Sequence, residues 1–316
     1  RSNSLHSFSM KRTLLLGALA LATLSGFGCD VCGMFMSLQP HDRTSTIGLS
    51  WRLRYREGTF TTTGFSQAKH GGTEAAVDSK YREIYQVADI RADIWVRPRW
   101  AVFAALPLVN NYQSVDGATT ADILGLGDAM VIGRYLVANT HCGADTLRSR
   151  HRLMLGGGAK LPTGRHDLTY QGEAVGPDLQ PGTGTTDLLI SAEYLFRKGR
   201  WGAGLNLIGR YNGEANDYRF GHGLNATAEV FRVMTAGPLR IMPSLGTYLE
   251  LADEDQANNV PVDGTGGPTL FAHVSSRVWW RSFSLGLTWQ HAVVDQQGSM
   301  MVPNKERVII GINYNI

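Results

Sequence analysis

The sequence predicts an all-β chain, a transmembrane antiparallel up-and-down β-barrel of twelve strands with short periplasmic turns and long extracellular loops. Three observations predict it. Segments of about ten residues alternate apolar with polar side chains, their connections alternate between short and long, and an export signal is followed by no apolar run long enough for a membrane helix.

The N-terminus reads as that export signal. Met10 is the expected start, Lys11 and Arg12 form a charged leader, and Leu14 to Leu24 is an apolar stretch of signal-peptide length. Residues 10–28 are therefore the expected signal peptide, residues 29–44 a periplasmic N-terminal segment, and residues 45–316 the barrel. Either cleavage follows Gly28, or Cys29 is a lipidated first residue.

Alternation begins at Ser45–Tyr55, where Ile47, Leu49, Trp51, Leu53 and Tyr55 share one face and Ser50, Arg52 and Arg54 the other. In Tyr81–Val96, Ile84, Ala88, Ile90, Ala92, Ile94 and Val96 oppose Glu83, Asp89, Arg91 and Asp93. Four charges on one side of a strand need water or each other, because an unpaired buried charge costs several kcal/mol. The pattern recurs at 100–109, 123–137, 150–161, 185–196, 200–211, 223–234, 239–250, 269–280, 283–291 and 307–316. Short connections are expected at 97–99, 197–199, 236–238 and Arg281, with a medium one at 138–149. Long polar ones are expected at 58–80, 113–122, 162–184, 212–222, 251–268 and 296–306. A barrel with periplasmic termini has this asymmetry, and a soluble sandwich has no reason for it.

Composition agrees. Charged residues are 18% of the chain, below the roughly 25% of globular domains, and 37 glycines with a mean hydropathy of -0.14 go with many turns and half-apolar strands. The net charge of +3 and the lack of a basic stripe interleaved with aromatics argue against nucleic acid as a partner. Trp51, Trp95, Trp100, Trp201, Trp279, Trp280 and Trp289 fall near expected water interfaces, where indole sits well. At the C-terminus, Gly311, Tyr314 and Ile316 resemble the signal by which barrel-assembly machinery recognises its clients. The expected partners are thus outer-membrane lipid, that machinery and an unidentified small solute, and the expected location is the bacterial outer membrane.

Several motifs occur in order through the middle third: Leu124-Gly-Leu-Gly-Asp128, Leu155-Gly-Gly-Gly-Ala-Lys-Leu-Pro-Thr-Gly164, Leu179-Gln-Pro-Gly-Thr-Gly184 and Tyr218-Arg-Phe-Gly-His222. Together they resemble the outer-membrane transporter family named after the MetA protein of phenol-degradation pathways. The resemblance implies an outer-membrane barrel that passes small, sometimes hydrophobic or aromatic, molecules, without assigning a substrate.

Candidate site residues fall into three groups. The polar face places Arg52, Arg54, Glu83, Asp89, Arg91, Asp93, Asp128, Arg134, Lys160, Asp187, Glu193, Arg210, Glu229, Glu250 and Arg277 toward the lumen, where mixed charges either set solute preference or satisfy one another as a plug. Cys29 and Cys32, with Met34, Met36 and His41, place soft sulfur ligands together; a copper site is one reading and a disulfide or lipidation the other. Cys142 beside His141 is a third cysteine, able to pair with either. No other cofactor is indicated. His273-Val-Ser275 loosely resembles the His-x-Ser of outer-membrane phospholipase, but Ser276 and Arg277 stand where that enzyme has asparagine and glycine, and the pair faces the lumen, so no enzyme activity is expected. The alternatives to a channel are a structural or partner-binding barrel, or a copper-handling one.

Overall fold

The computed structural model describes residues 44–64, 75–140 and 149–316. The expected signal peptide, the Cys29/Cys32 segment and Cys142 lie outside them. Twelve strands carry the fold: β1 (Thr46–Gly64), β2 (Ala75–Arg97), β3 (Trp100–Val115), β4 in two pieces (Ala118–Leu126 and Met130–Asn139), β5 (Ser149–Lys160), β6 (Asp187–Lys198), β7 (Trp201–Tyr211), β8 in two pieces (Gly223–Arg232 and Met234–Ala236), β9 (Leu239–Ala252), β10 (Thr269–Trp280), β11 (Phe283–Asp295) and β12 (Asn304–Asn315). Each pairs antiparallel with its sequence neighbours, and β12 returns to β1 with Asn315 opposite Thr46 and Arg307 opposite Arg54. The sheet therefore closes on itself and leaves no edge. No helix among the described residues is long and apolar enough to cross a membrane.

The two faces differ as alternation requires. Leu49, Leu188 and Ile190 are 63%, 61% and 69% exposed on the outside, while Ser50, Arg52, Arg54 and Arg56 are buried within. An apolar girdle around the whole circumference far exceeds the few hundred Å² a soluble monomer exposes. Hydrocarbon is the solvent that makes it favourable, and a closed barrel is the only sheet whose backbone is satisfied there. Rings at the short-turn end pair off, Trp100 with Tyr135 and Phe283 with Tyr314, as an interfacial aromatic belt does.

Three expectations need correction. Residues 113–122 are not a long loop: β3 and β4 continue to a two-residue turn at Asp116-Gly117, both with positive φ (51° and 86°), a geometry that matches the right-handed twist of the hairpin. Likewise β1 and β2 run on to Gly64 and from Ala75, beyond the expected boundaries at 58 and 80. The strand expected at 123–137 breaks at residues 127–129. Of the tryptophans at the short-turn end, Trp279 and Trp95 face inward: Trp279 is buried with Leu195, Phe231, Val233 and Met242, and Trp95 packs on Ala101, Leu136 and Met154. Period-2 alternation makes this unavoidable for Trp279, since Trp280 beside it faces out.

Gly158 of β5 is required by close approach rather than by turn geometry. A Cβ there would lie 2.0 Å from the Val131 carbonyl oxygen on β4. Gly158→Ala is expected to force the two strands apart at a cost of about 1–3 kcal/mol, lowering the yield of the heat-modifiable folded band on refolding into detergent.

Candidate functional site

Three levels of side chains occupy the interior, from the long-loop end to the short-turn end. At the top, the 161–186 connection folds back into the mouth. Leu179, on a short 3-10 turn (Pro177–Leu179), is buried against Tyr85, Ala121 and Ile123, and Leu168, Tyr170 and Val175 pack around it. Asn111 Nδ2 donates to the Leu179 carbonyl (2.9 Å). Gln180 ties the loop to itself through Leu168 and Val175.

This loop is pinned at its root by Asp128, the residue that interrupts β4. Its Oδ1 accepts from Gly164 N (2.9 Å), and its Oδ2 accepts from Thr183 N and Thr183 Oγ1 (both 2.9 Å). Lys160 Nζ lies 3.1 Å from Asp128 and 2.6 Å from Asp187, and Thr185 Oγ1 donates to Asp187 (2.6 Å). Gly164 and Gly182 are pressed together here, a Cβ on Gly182 falling 2.7 Å from Gly164. Three glycine-rich motifs separated by tens of residues thus converge on one carboxylate. Its partners lie 36 and 55 positions away.

The middle level is a buried charge network. Glu250 lies 3.1 Å from Arg54 and 2.9 Å from Arg307, and Arg307 stacks over Tyr248 and Phe271 (5.2 and 4.6 Å to the ring centres). Beside it Arg56 faces Glu83 (3.5 Å) and bonds Gln297 of the 296–303 connection. Tyr85 OH and Gln113 Nε2 also donate to Glu83 (3.0 and 2.9 Å). Strand register continues the belt from Arg307 through Gln290, His273 and Gly246 to Glu229. His273 Nε2 sits 3.7 Å from Glu229, and Ser275 Oγ instead meets Thr288 Oγ1 (2.8 Å).

Below the belt lies a cavity of about 80 Å³ lined by Arg91, Asp93, Arg134, Glu193, Arg277, Ser50, Thr288 and, toward the short-turn end, Thr46 and Asn313. A water needs roughly 10–15 Å³ of such space, so several fit. Around it Arg134 bridges Asp93 and Glu193 (3.6 Å to the latter), Arg152 holds Glu193 (2.7 Å), and Arg91 pairs with Asp89. An apolar patch of Phe103, Ala105, Ile132, Leu189 and Ile208 covers the wall from β3 to β7.

The remaining singled-out residues are placed as follows. Arg52 is buried on β1, one register step below Arg54. Arg210 is half-buried on β7, paired in register with Gly223. Gly311 lines the cavity, while Tyr314 and Ile316 point outward. Arg56, Arg152, Arg307, Tyr248 and Leu179 are not among the sequence candidates. The first three are within reach of sequence reasoning, since each continues an alternation that the sequence displays, whereas Leu179 sits in a glycine- and proline-rich loop with no period to mark it.

Asp178, next to Leu179 on the docked loop, is half-buried on the side that faces Glu83 and Arg56. Burial and the nearby Glu83 carboxylate push its pKa up to about 6, against the opposing pull of Arg56. The docked loop therefore holds this proton more tightly than a released loop does. Docking is strongest where Asp178 is protonated in both states, and weakens as pH rises from about 4 through about 6.

Fold and interior together define a transmembrane β-barrel of the bacterial outer-membrane kind, with a charge-laced lumen capped by an inward-folded loop. No protein-family model and no curated sequence matches the chain. Among solved structures, an outer membrane channel from Pseudomonas putida F1 is similar over 89% of this chain and 100% of its own, with a TM-score of 0.59 and 14% identity. The β domain of the Bordetella autotransporter BrkA is similar over 87% and 100% respectively, with a TM-score of 0.46 and 13% identity. The first of these likenesses supports the barrel fold described above.

Proposed function

We propose that this barrel is a passive channel for small solutes, closed in the state described and opened by withdrawal of the 161–186 loop. The observation that carries the reading is the attachment of the cap. The loop blocks the mouth through Leu179 and the Leu168, Tyr170 and Val175 side chains around it, and is fastened by polar contacts to Asp128, whereas strand pairing holds the wall. A space lined by charges of both signs lies beneath it. Two further features support the reading. The similar protein from Pseudomonas putida is an outer membrane channel, and between loops 161–186 and 212–222 lies a cavity of about 280 Å³ lined by His166, Val175, Pro177, Tyr218 and Phe220. That lining suits small solutes with an apolar or aromatic body. In this reading the N-terminal signal directs export and Gly311, Tyr314 and Ile316 serve recognition by the assembly machinery.

The test is solute flux through proteoliposomes. Swelling in small sugars and in aromatic alcohols should exceed that of protein-free vesicles, and rise further when the loop is shortened. A folded barrel that is silent in both forms contradicts the proposal. The titration of Asp178 gives a second expectation: flux falls from pH 7.5 to pH 5 as the docked loop gains stability, and Asp178→Asn flattens that dependence.

A further inference from the structure

Charge is not distributed evenly between the two ends of the barrel. At the short-turn end, β2 and β3 are joined through Arg97 and Arg99, β6 and β7 through Arg197, Lys198 and Arg200, and β10 and β11 through Arg281, while β8 and β9 flank their turn with Arg232 and Arg240. Among the described residues, these turns hold no carboxylate. The opposite end is the reverse among the described residues, with Asp116, Asp167, Glu173, Asp217, Glu254 and Asp263 against fewer cations.

Part of the basic rim faces the lipid rather than the lumen mouth. Trp201 is 59% exposed on the outer surface of β7, and register puts Lys198 of β6 on one side of it and Arg232 of β8 on the other. Both are exposed and share its outward face. Arg200 precedes it in the turn. The Arg232 guanidinium lies 5.3 Å from the indole centre. Opposed neighbours on adjacent strands stand roughly 5 Å apart, so Lys198 and Arg232 flank the indole from its two sides and, with Arg200, place three cations around one ring at the lipid–water boundary. The same pairing recurs where Arg281 lies 5.1 Å over Trp280. A phosphate diester at headgroup depth neutralises such a cluster, and the indole seats beside its glycerol and upper acyl carbons.

We propose that the outward side of the periplasmic rim, centred on Lys198, Arg200, Trp201 and Arg232, is a binding surface for the headgroups of anionic phospholipids in the inner leaflet. The cluster sits level with an aromatic belt and faces away from the lumen axis, which selects lipid over a periplasmic polymer approaching the mouth.

The experiment is native mass spectrometry of the folded full-length barrel, released from detergent in equimolar phosphatidylglycerol and phosphatidylcholine. The wild type is expected to retain phosphatidylglycerol at least about tenfold over phosphatidylcholine, less so at higher ionic strength. The triple change Lys198→Gln, Arg200→Gln and Arg232→Gln should bring the ratio near unity, while Lys80→Gln, Arg82→Gln and Arg165→Gln at the other end leave it as in the wild type. Heat-modifiable migration on gels verifies that each variant is folded, and Arg232→Lys, which keeps charge but loses planar stacking, should fall between wild type and triple variant. Equal retention of both lipids by the wild type overturns the proposal. So does a preference that survives the triple change, or one that survives while the same change abolishes binding of soluble peptidoglycan fragments.

Discussion

Asp128→Ala is expected to hold the proposed channel open for most of a recording in which the wild type opens only briefly. The carboxylate accepts three hydrogen bonds from Gly164 and Thr183 and faces Lys160. Hydrogen bonds to a charged group contribute about 1.5–3 kcal/mol each, though those sharing one anchor are not additive. A loss of about 3–4 kcal/mol from docking shifts the loop's closed-to-open ratio by two to three orders of magnitude. The measurement is open probability in planar bilayers. Asp128→Asn retains an acceptor and should lie between the two, and Gly182→Ala, which wedges a methyl against Gly164, should resemble Asp128→Ala. Unchanged gating in all three would show that the knot does not hold the cap.

Glu250→Ala is expected to produce the largest loss of stability of any single interior change. Its carboxylate is buried between Arg54 and Arg307, and its removal deprives two guanidiniums of their shared counter-charge in the middle of the lumen. Breaking a buried ion pair from one side costs about 3–5 kcal/mol. Urea unfolding of the detergent-folded protein, followed by tryptophan fluorescence, should show a markedly lower midpoint. Asp167→Ala, in an exposed ion pair with Arg165, should move it by less than about 0.5 kcal/mol. Equal effects at the two positions would mean that water reaches the belt and screens it.

Much of the barrel is legible because membrane-spanning strands obey a two-residue period that a sequence displays directly. Ile47 and Leu49 outside with Ser50 and Arg54 inside is that period made physical. The same rule becomes unreadable where β3 and β4 rise above the lipid. There Asn110, Tyr112 and Asp122 face outward into water, so both faces are polar and a strand reads like a loop. The break at Asp128 is hidden for another reason: an aspartate in a strand announces itself only through partners, and those lie in loops far along the chain. Of the interior, the charged residues can be assigned a face but not a partner. Nothing in the spacing of Arg54, Glu250 and Arg307 says that they meet, since their contact depends on closure of β12 onto β1 and on the tilt of β9. Leu179 is the extreme case, an apolar residue buried against Tyr85, Ala121 and Ile123 from inside a segment without periodicity.

Central to the proposed function is a path stopped by a removable loop. Single-channel recording should compare the wild type with a chain in which residues 166–180 are replaced by a short glycine–serine link. The wild type should be closed with brief openings, and the shortened chain should hold a steady ohmic conductance. Traces that are equally silent would mean that the interior is a solid plug, and traces that are equally open would mean that the loop caps nothing.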